Sequence, residues 1–186
     1  MILGAAALMA ALGLMLFNRQ EESTAAAAVD AMLPQVLQEI RQQQETGPLP
    51  DPYSKKMREV VIGEDRYIGY LSVPVLGLDL PVMAEWSYPL LKKTPCRYAG
   101  ATKTDNLVVM AHNYAQHFGT IDTLSAGDEV VFTDMEGVAT RYEVAALDVL
   151  SPSAVEEMTA GDYDLTLFTC TYGGQSRVTV RCDRSA

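Results

Sequence analysis

The stretch Asp164-Leu-Thr-Leu-Phe-Thr-Cys170, continued by Thr171-Tyr-Gly-Gly-Gln-Ser-Arg177-Val-Thr-Val-Arg181, decides the fold. Leu165 to Phe168 is a short run of apolar and β-branched residues with the character of a strand, and Gly173-Gly174 supplies the backbone freedom a reversal needs. From Arg177 the chain alternates strictly, Arg-Val-Thr-Val-Arg, so a second strand returns beside the first. This hairpin puts Cys170 at the end of one strand and Arg177 near the start of the next. A thiol and a guanidinium are thereby held side by side on a rigid frame. Arg181 projects from the same strand face but lies farther from the turn, where a salt-bridging surface role suits it.

The thiolate is the nucleophilic form of cysteine, and such a residue works with a histidine that is distant in sequence and near in the fold. The chain has two histidines. Asn106-Leu-Val-Val-Met-Ala111 reads as a buried strand, and His112 falls at its end. His117 precedes Phe118-Gly-Thr-Ile-Asp122, a helix entry in which surface packing is the simpler role. His112 is therefore the favoured partner, with His117 the alternative.

Taken together, Thr166-Leu-Phe-Thr-Cys170, an Arg seven residues beyond the Cys, the strand end Ala111-His-Asn-Tyr114 and an apolar N-terminal segment resemble a sortase. The sortases are membrane-anchored cysteine transpeptidases of Gram-positive bacteria. The resemblance covers about residues 64 to 184. It implies a closed eight-stranded β-barrel with short helices. It also implies catalytic roles for Cys170 (thioacyl-forming nucleophile), His112 (proton donor and acceptor for the amines) and Arg177 (donor to the oxyanion or the substrate backbone). The implied partners are secreted proteins with a C-terminal sorting motif of the Leu-Pro-x-Thr-Gly kind, and a peptidoglycan amine or a pilin lysine as acceptor. The loop before the Cys strand forms one wall of the sorting-signal groove in sortases. Leu150 and Ser151 at its start, with Thr169 and Tyr172 flanking the thiol, are accordingly expected to bind substrate. Asp51-Pro-Tyr53 faintly resembles the lid of pilin-assembling sortases, but its setting reads as linker.

Outside this frame, Met1 to Phe17 contains no charged residue, and Asn18-Arg-Gln-Glu-Glu22 ends the run abruptly. The run approaches the ~20 residues a bilayer-spanning helix needs. Residues 1–18 are expected to be an uncleaved single-pass anchor with the bulk of the chain outside the cytoplasm, an orientation the resemblance implies. The rivals are a cleaved signal, with Ala25 to Ala28 as its processing region, and a core helix. Val29, Met32, Leu33, Val36, Leu37 and Ile40 recur at helical spacing, so residues 19–57 read as a helical stalk kinked or started near Pro34, then a linker from Gly47 to Pro52. The catalytic domain is expected over 58–186.

Within that domain Tyr67–Val73 and Leu78–Met83 form a hairpin-like pair, Ser87–Lys93 a brief helix, and Glu129–Thr133 and Thr140–Leu147 two further strands. Ser153 with Glu156 fits a capping box. Strands at this density indicate a barrel, although composition alone also permits a sandwich.

A formal charge of −10 argues against nucleic acid as a partner. The two remaining cysteines, Cys96 and Cys182, have no Cys-x-x-Cys spacing or His cluster, so no metal or cofactor is expected. A disulfide between them stays open. Two other functions compete with transpeptidation: a cysteine peptidase that releases its product to water, and a catalytically silent membrane-tethered barrel that binds.

Overall fold

The computed structural model describes residues 2–185. A 45-residue helix α1 (Ile2–Thr46) leads into nine strands: β1 (Val60–Ile62), β2 (Asp65–Val73), β3 (Leu78–Met83), β4 (Cys96–Ala99), β5 (Leu107–Met110), β6 (Glu129–Asp134), β7 (Ala139–Leu150), β8 (Leu165–Cys170) and β9 (Arg177–Arg184). Two short helices interrupt them, α2 (Tyr88–Leu91) and α3 (Val155–Thr159). Eight strands pair in the order β2-β3-β4-β5-β8-β9-β7-β6, and β6 returns to β2, so the wall closes and leaves no free edge among them. Only β3–β4 and β5–β8 run parallel.

Closure turns on β2. Its first residues pair with β1, and further along the same edge Gly69 to Ser72 pair with β6, with a register shift between Tyr67 and Gly69. Gly69 takes φ +145°, and a Cβ there would lie 2.0 Å from the Thr133 carbonyl oxygen. Only glycine admits so close an approach of backbone to backbone at the seam.

Alternation along each strand sorts the side chains. Leu71, Leu80, Leu107, Val109, Phe132, Leu165, Leu167 and Val180 fill the barrel interior. The outer wall is covered in two places. Under α1, Tyr67, Met83, Cys96 and Met135 meet Val36 and Ile40. Under α3, Val108 and Phe168 meet Met158. Cys96 therefore lies in the outer layer while Cys182 points into the interior, and all three cysteines are free thiols. The disulfide left open by the sequence does not form.

The N-terminal segment differs from expectation. α1 passes Pro34 without a break, and the stretch read as a stalk lies against β2 and β3 instead of standing off from the domain. Ala25, Val29, Val36 and Ile40 are buried there at helical spacing, which offsets the hydrogen bond lost at Pro34. Leu8, Met9, Leu12 and Leu14 to Phe17 are exposed. Among the described residues no helix is long and apolar enough to cross a membrane. The Ser153 capping box is also absent: α3 starts at Val155 behind Ala154 with no side-chain cap, and Ser153 pairs with Ser151 instead.

Because Ile40 is 5% exposed between helix and barrel, Ile40→Ala is expected to lower unfolding free energy by about 2 kcal/mol or more. Urea denaturation measures this. A helix that merely tethered the domain would register no loss.

Candidate active site

Backbone pairing brings the candidate residues together in part. In the parallel β5–β8 ladder Val109 matches Leu167 and Met110 matches Phe168. The Ala111 N–H donates to the Phe168 carbonyl at 3.2 Å, and the Thr169 hydroxyl donates to the Ala111 carbonyl at 2.9 Å. The last ladder pair is Met110 with Phe168, so His112 follows two residues past the end of β5 as Cys170 follows two residues past Phe168 on β8. On the other side of β8, Cys170 pairs with Arg177, and Arg177 in turn pairs with Leu150 across β9 and β7. Cys170, Arg177 and Leu150 thus form one row across three neighbouring strands, each about 4.8 Å from the next, and His112 stands just beyond the end of β5 on the other side of β8. The row lies on the outer face, because Leu165, Leu167, Val109 and Val180 take the inner positions.

The turn beyond Cys170 is braced by Thr171, whose N–H donates to the Ser176 carbonyl at 3.0 Å and whose hydroxyl oxygen accepts from the Ser176 N–H. Gly173 and Gly174 both take positive φ, as a tight reversal of this kind requires. Arg177 folds back over it, with Nη1 donating to the carbonyls of Gly174 and Ser176, each at 3.1 Å. Guanidinium has five N–H donors, so these two bonds do not exhaust it.

A cavity of about 640 Å³ opens at this end of the barrel, lined by Cys170, Thr169, Tyr172, Tyr114, Asp122 and, from α1, Asn18, Glu21 and Glu22. Of the residues expected to bind substrate, Thr169 and Tyr172 are on its wall. Tyr172 is exposed, whereas the Thr169 side chain is buried and committed to Ala111. Leu150 and Ser151 are not on that wall. Leu150 borders the small apolar cluster of Val108, Phe168 and Met158, and Ser151 is an exposed turn residue. Asp51 accepts from the Tyr53 N–H, and Tyr53 is fully exposed to solvent, away from the thiol.

The two histidines separate by burial. His112 is half-buried, and desolvation holds its pKa below the usual imidazole value, with Glu21 opposing and Lys92 assisting. His117, expected at the surface, is instead completely buried. Neither of its nitrogens makes a hydrogen bond, and burial pushes its pKa down to about 4, helped by His112 and opposed by the nearby Lys93 backbone. It is a neutral packing residue behind the loop that carries His112.

Arg181 also departs from its expected surface role. It is 6% exposed and donates to Asp148, Thr166, and the carbonyls of Glu157 and Met158. It ties α3 to β8 and β9 and does not approach the Cys170 end. Sequence reading missed Tyr114, Glu21 and Glu22 as parts of the site. The acidic pair directly after the apolar run was visible, but no periodicity says what it faces. Among the described residues no group of three or more His, Cys, Asp or Glu side chains is arranged to hold a metal ion.

Two measurements follow from this burial pattern. Desolvation pushes the Cys96 and Cys182 thiols up to about 12. Iodoacetamide at neutral pH is therefore expected to add one label, at Cys170, to the native protein and three after denaturation, read by intact mass. His117, at about 4 folded and near 6.5 unfolded, favours the folded state fully above pH 6.5. That contribution, about 3 kcal/mol, is lost as pH falls toward 4. Urea unfolding across this window should show a shallower acid loss for His117→Leu than for the wild type.

With the geometry in place, comparison with known proteins gives a consistent answer. Residues 71–185 match the family model of the Sortase domain. Sortase C1 of Streptococcus suis is similar at 27% identity, over 64% of this chain and 73% of that one, with a TM-score of 0.56. Sortase C of Streptococcus pneumoniae shares 22% identity over 90% of this chain and 95% of its own, with a TM-score of 0.59. A lid mutant of sortase A from Corynebacterium diphtheriae shares 21% identity over 84% and 95% of the two chains, also with a TM-score of 0.59. No curated protein matches the chain. A family model that spans most of the barrel, on a chain whose strand register pairs a thiol with a guanidinium, makes this protein a member of the sortase family of cysteine transpeptidases.

Proposed function

We propose that Cys170 is the nucleophile, His112 the proton-transfer group and Arg177 the oxyanion or backbone donor of a transpeptidase acting on a C-terminal sorting motif. The observation that carries this reading is the pairing of Cys170 with Arg177 across β8 and β9, with His112 two residues beyond the β5 strand that runs parallel to β8. The thiol proton moves to His112 as Sγ bonds to the scissile carbonyl carbon, and Arg177 donates to the oxygen as it gains charge. The C–N bond then breaks, the leaving amine takes the proton from His112, and a thioester remains. An acceptor amine attacks that thioester, gives its proton to His112, and displaces Sγ, which recovers the proton. Burial of His112 favours its neutral form, the form able to accept the first proton.

The donor we infer is a secreted protein with a Leu-Pro-x-Thr-Gly-like signal. The partly exposed Leu150, which pairs with Arg177 next to Cys170, offers the apolar part of that signal a surface. The acceptor is an amine of the cell wall or of a pilin lysine, in keeping with the pilin substrate specificity described for the pneumococcal relative. We place the enzyme at the membrane through the apolar residues before Asn18, with the barrel outside the cytoplasm. Glu21 lines the cavity only four residues after Phe17, about 6 Å along a helix, so such an anchor holds the thiol close to the bilayer surface.

The test incubates the full chain with a Leu-Pro-x-Thr-Gly peptide and an amine acceptor and follows thioester and ligated product by mass spectrometry. Cys170→Ala is expected to abolish both species, and His112→Ala and Arg177→Ala to slow turnover by roughly a hundredfold or more. Arg181→Ala is expected to lower the melting temperature through lost contacts to α3. Full turnover by Arg177→Ala or His112→Ala would remove that residue from the mechanism.

A further inference from the structure

The His112 imidazole is held in an unusual way. Among the described residues no hydrogen bond reaches its ring, and Nε2 is buried without a partner. An acid–base histidine ordinarily has its ring orientation set by a hydrogen bond on one nitrogen. Here an aromatic face performs that task. The Tyr114 ring stacks on His112 with centroids 4.8 Å apart and planes at 29°, and its other neighbour is His117, at 5.5 Å and 48°. One tyrosine therefore sits between both imidazoles of the chain.

Tyr114 is itself tied down from two directions. Its carbonyl accepts from the N–H groups of His117 and Gly119, each at 2.9 Å, and the Phe118 N–H donates to the His112 carbonyl at 3.1 Å, which closes the loop into a compact coil. From α1, Glu21 accepts from the Tyr114 hydroxyl at 3.4 Å and from Lys92 Nζ at 2.5 Å, while Glu22 accepts from the Ala115 N–H at 2.6 Å. Both glutamates and Tyr114 line the cavity that contains Cys170.

We propose that Tyr114 is a positioning residue for His112, clamped by Glu21 and Glu22 so that the N-terminal helix is a working part of the active site and not a tether alone. The inference rests on the reading of His112 as the proton-transfer group. The charged and titratable groups that bear on His112 are Glu21 from α1, Lys92 from the end of α2 and His117 from its own loop. Tyr114 and Glu21 act in opposite senses through the clamp. The Tyr114 ring excludes water and so disfavours imidazolium, while the Glu21 carboxylate favours it.

The experiment uses the full chain, in which two histidines give two imidazole Cε1–H signals, with His117 as the low-pKa reference. Tyr114→Leu is expected to raise the His112 pKa toward 6.5 and to lower kcat by about tenfold or more, with KM for the sorting peptide little changed. Tyr114→Phe, which keeps the stack, should recover most of kcat. Glu21→Gln should move the His112 pKa further down, because the favouring anion is lost and Lys92 is left uncompensated. Thermal melts identify any variant that fails to fold, and the two near-isosteric variants keep the test decisive if Tyr114→Leu does. If the titration of His112 and the pH profile of kcat match wild type in Tyr114→Leu and Glu21→Gln, the proposal is wrong. The NMR shifts need no turnover, so a failure of His112→Ala to slow the reaction overturns the catalytic reading separately.

Discussion

The parallel pairing of β5 with β8 is the constraint on which the site depends. β8 is hydrogen-bonded on both sides, parallel to β5 and antiparallel to β9, so the position of Arg177 relative to Cys170 is set by ladder geometry, and His112 follows two residues beyond the last β5–β8 pair. A slip of one residue would turn Cys170 into the barrel and Thr169 outward. The inner positions of β8, Leu165 and Leu167, are fully buried, and such a slip would turn them out of the barrel interior and put Thr166 and Phe168 in their place. The Thr169 hydroxyl adds a cross-strand bond to Ala111, next to His112. Core packing and site geometry are thus enforced by the same register.

Electrostatics at the site are asymmetric in a way composition does not suggest. The chain is strongly acidic, yet only a few carboxylates, chiefly those of Glu21, Glu22 and Asp122, face the thiol's cavity. Lys92 holds Glu21 ionised by a direct hydrogen bond, which keeps a negative charge near His112 without a formal contact between them. The second histidine, five residues on, is buried deeply enough to stay neutral. Two imidazoles in one loop therefore have distinct protonation behaviour for one physical reason, the unequal loss of water around them.

α1 connects these features to the rest of the molecule. Its C-terminal half covers the outer wall of β2 and β3, and its middle supplies one wall of the cavity. Closure of the barrel at Gly69, where β6 meets β2, fixes the curvature of the wall that the helix lies against. Residues far apart in the chain, such as Glu21 and Tyr114, become neighbours only after both the closure and the helix docking are complete.

Much of this was legible in the residues themselves. The hairpin around Gly173-Gly174, the strand ending at His112 and the alternating Arg177 strand follow from local period and turn chemistry, and with them the approach of Cys170 to Arg177. Local pattern determines which residues face in and which face out along a strand, because a side-chain period of two is a property of the backbone alone. It does not determine which strands become neighbours or what packs across them. The burial of His117 and Arg181, the separation of Cys96 from Cys182 by the barrel wall, and the reach of Glu21 to Tyr114 were decided only by tertiary structure. Each depends on groups brought together over tens of residues by closure of the sheet, and the free energy of those contacts exists only once the barrel has formed.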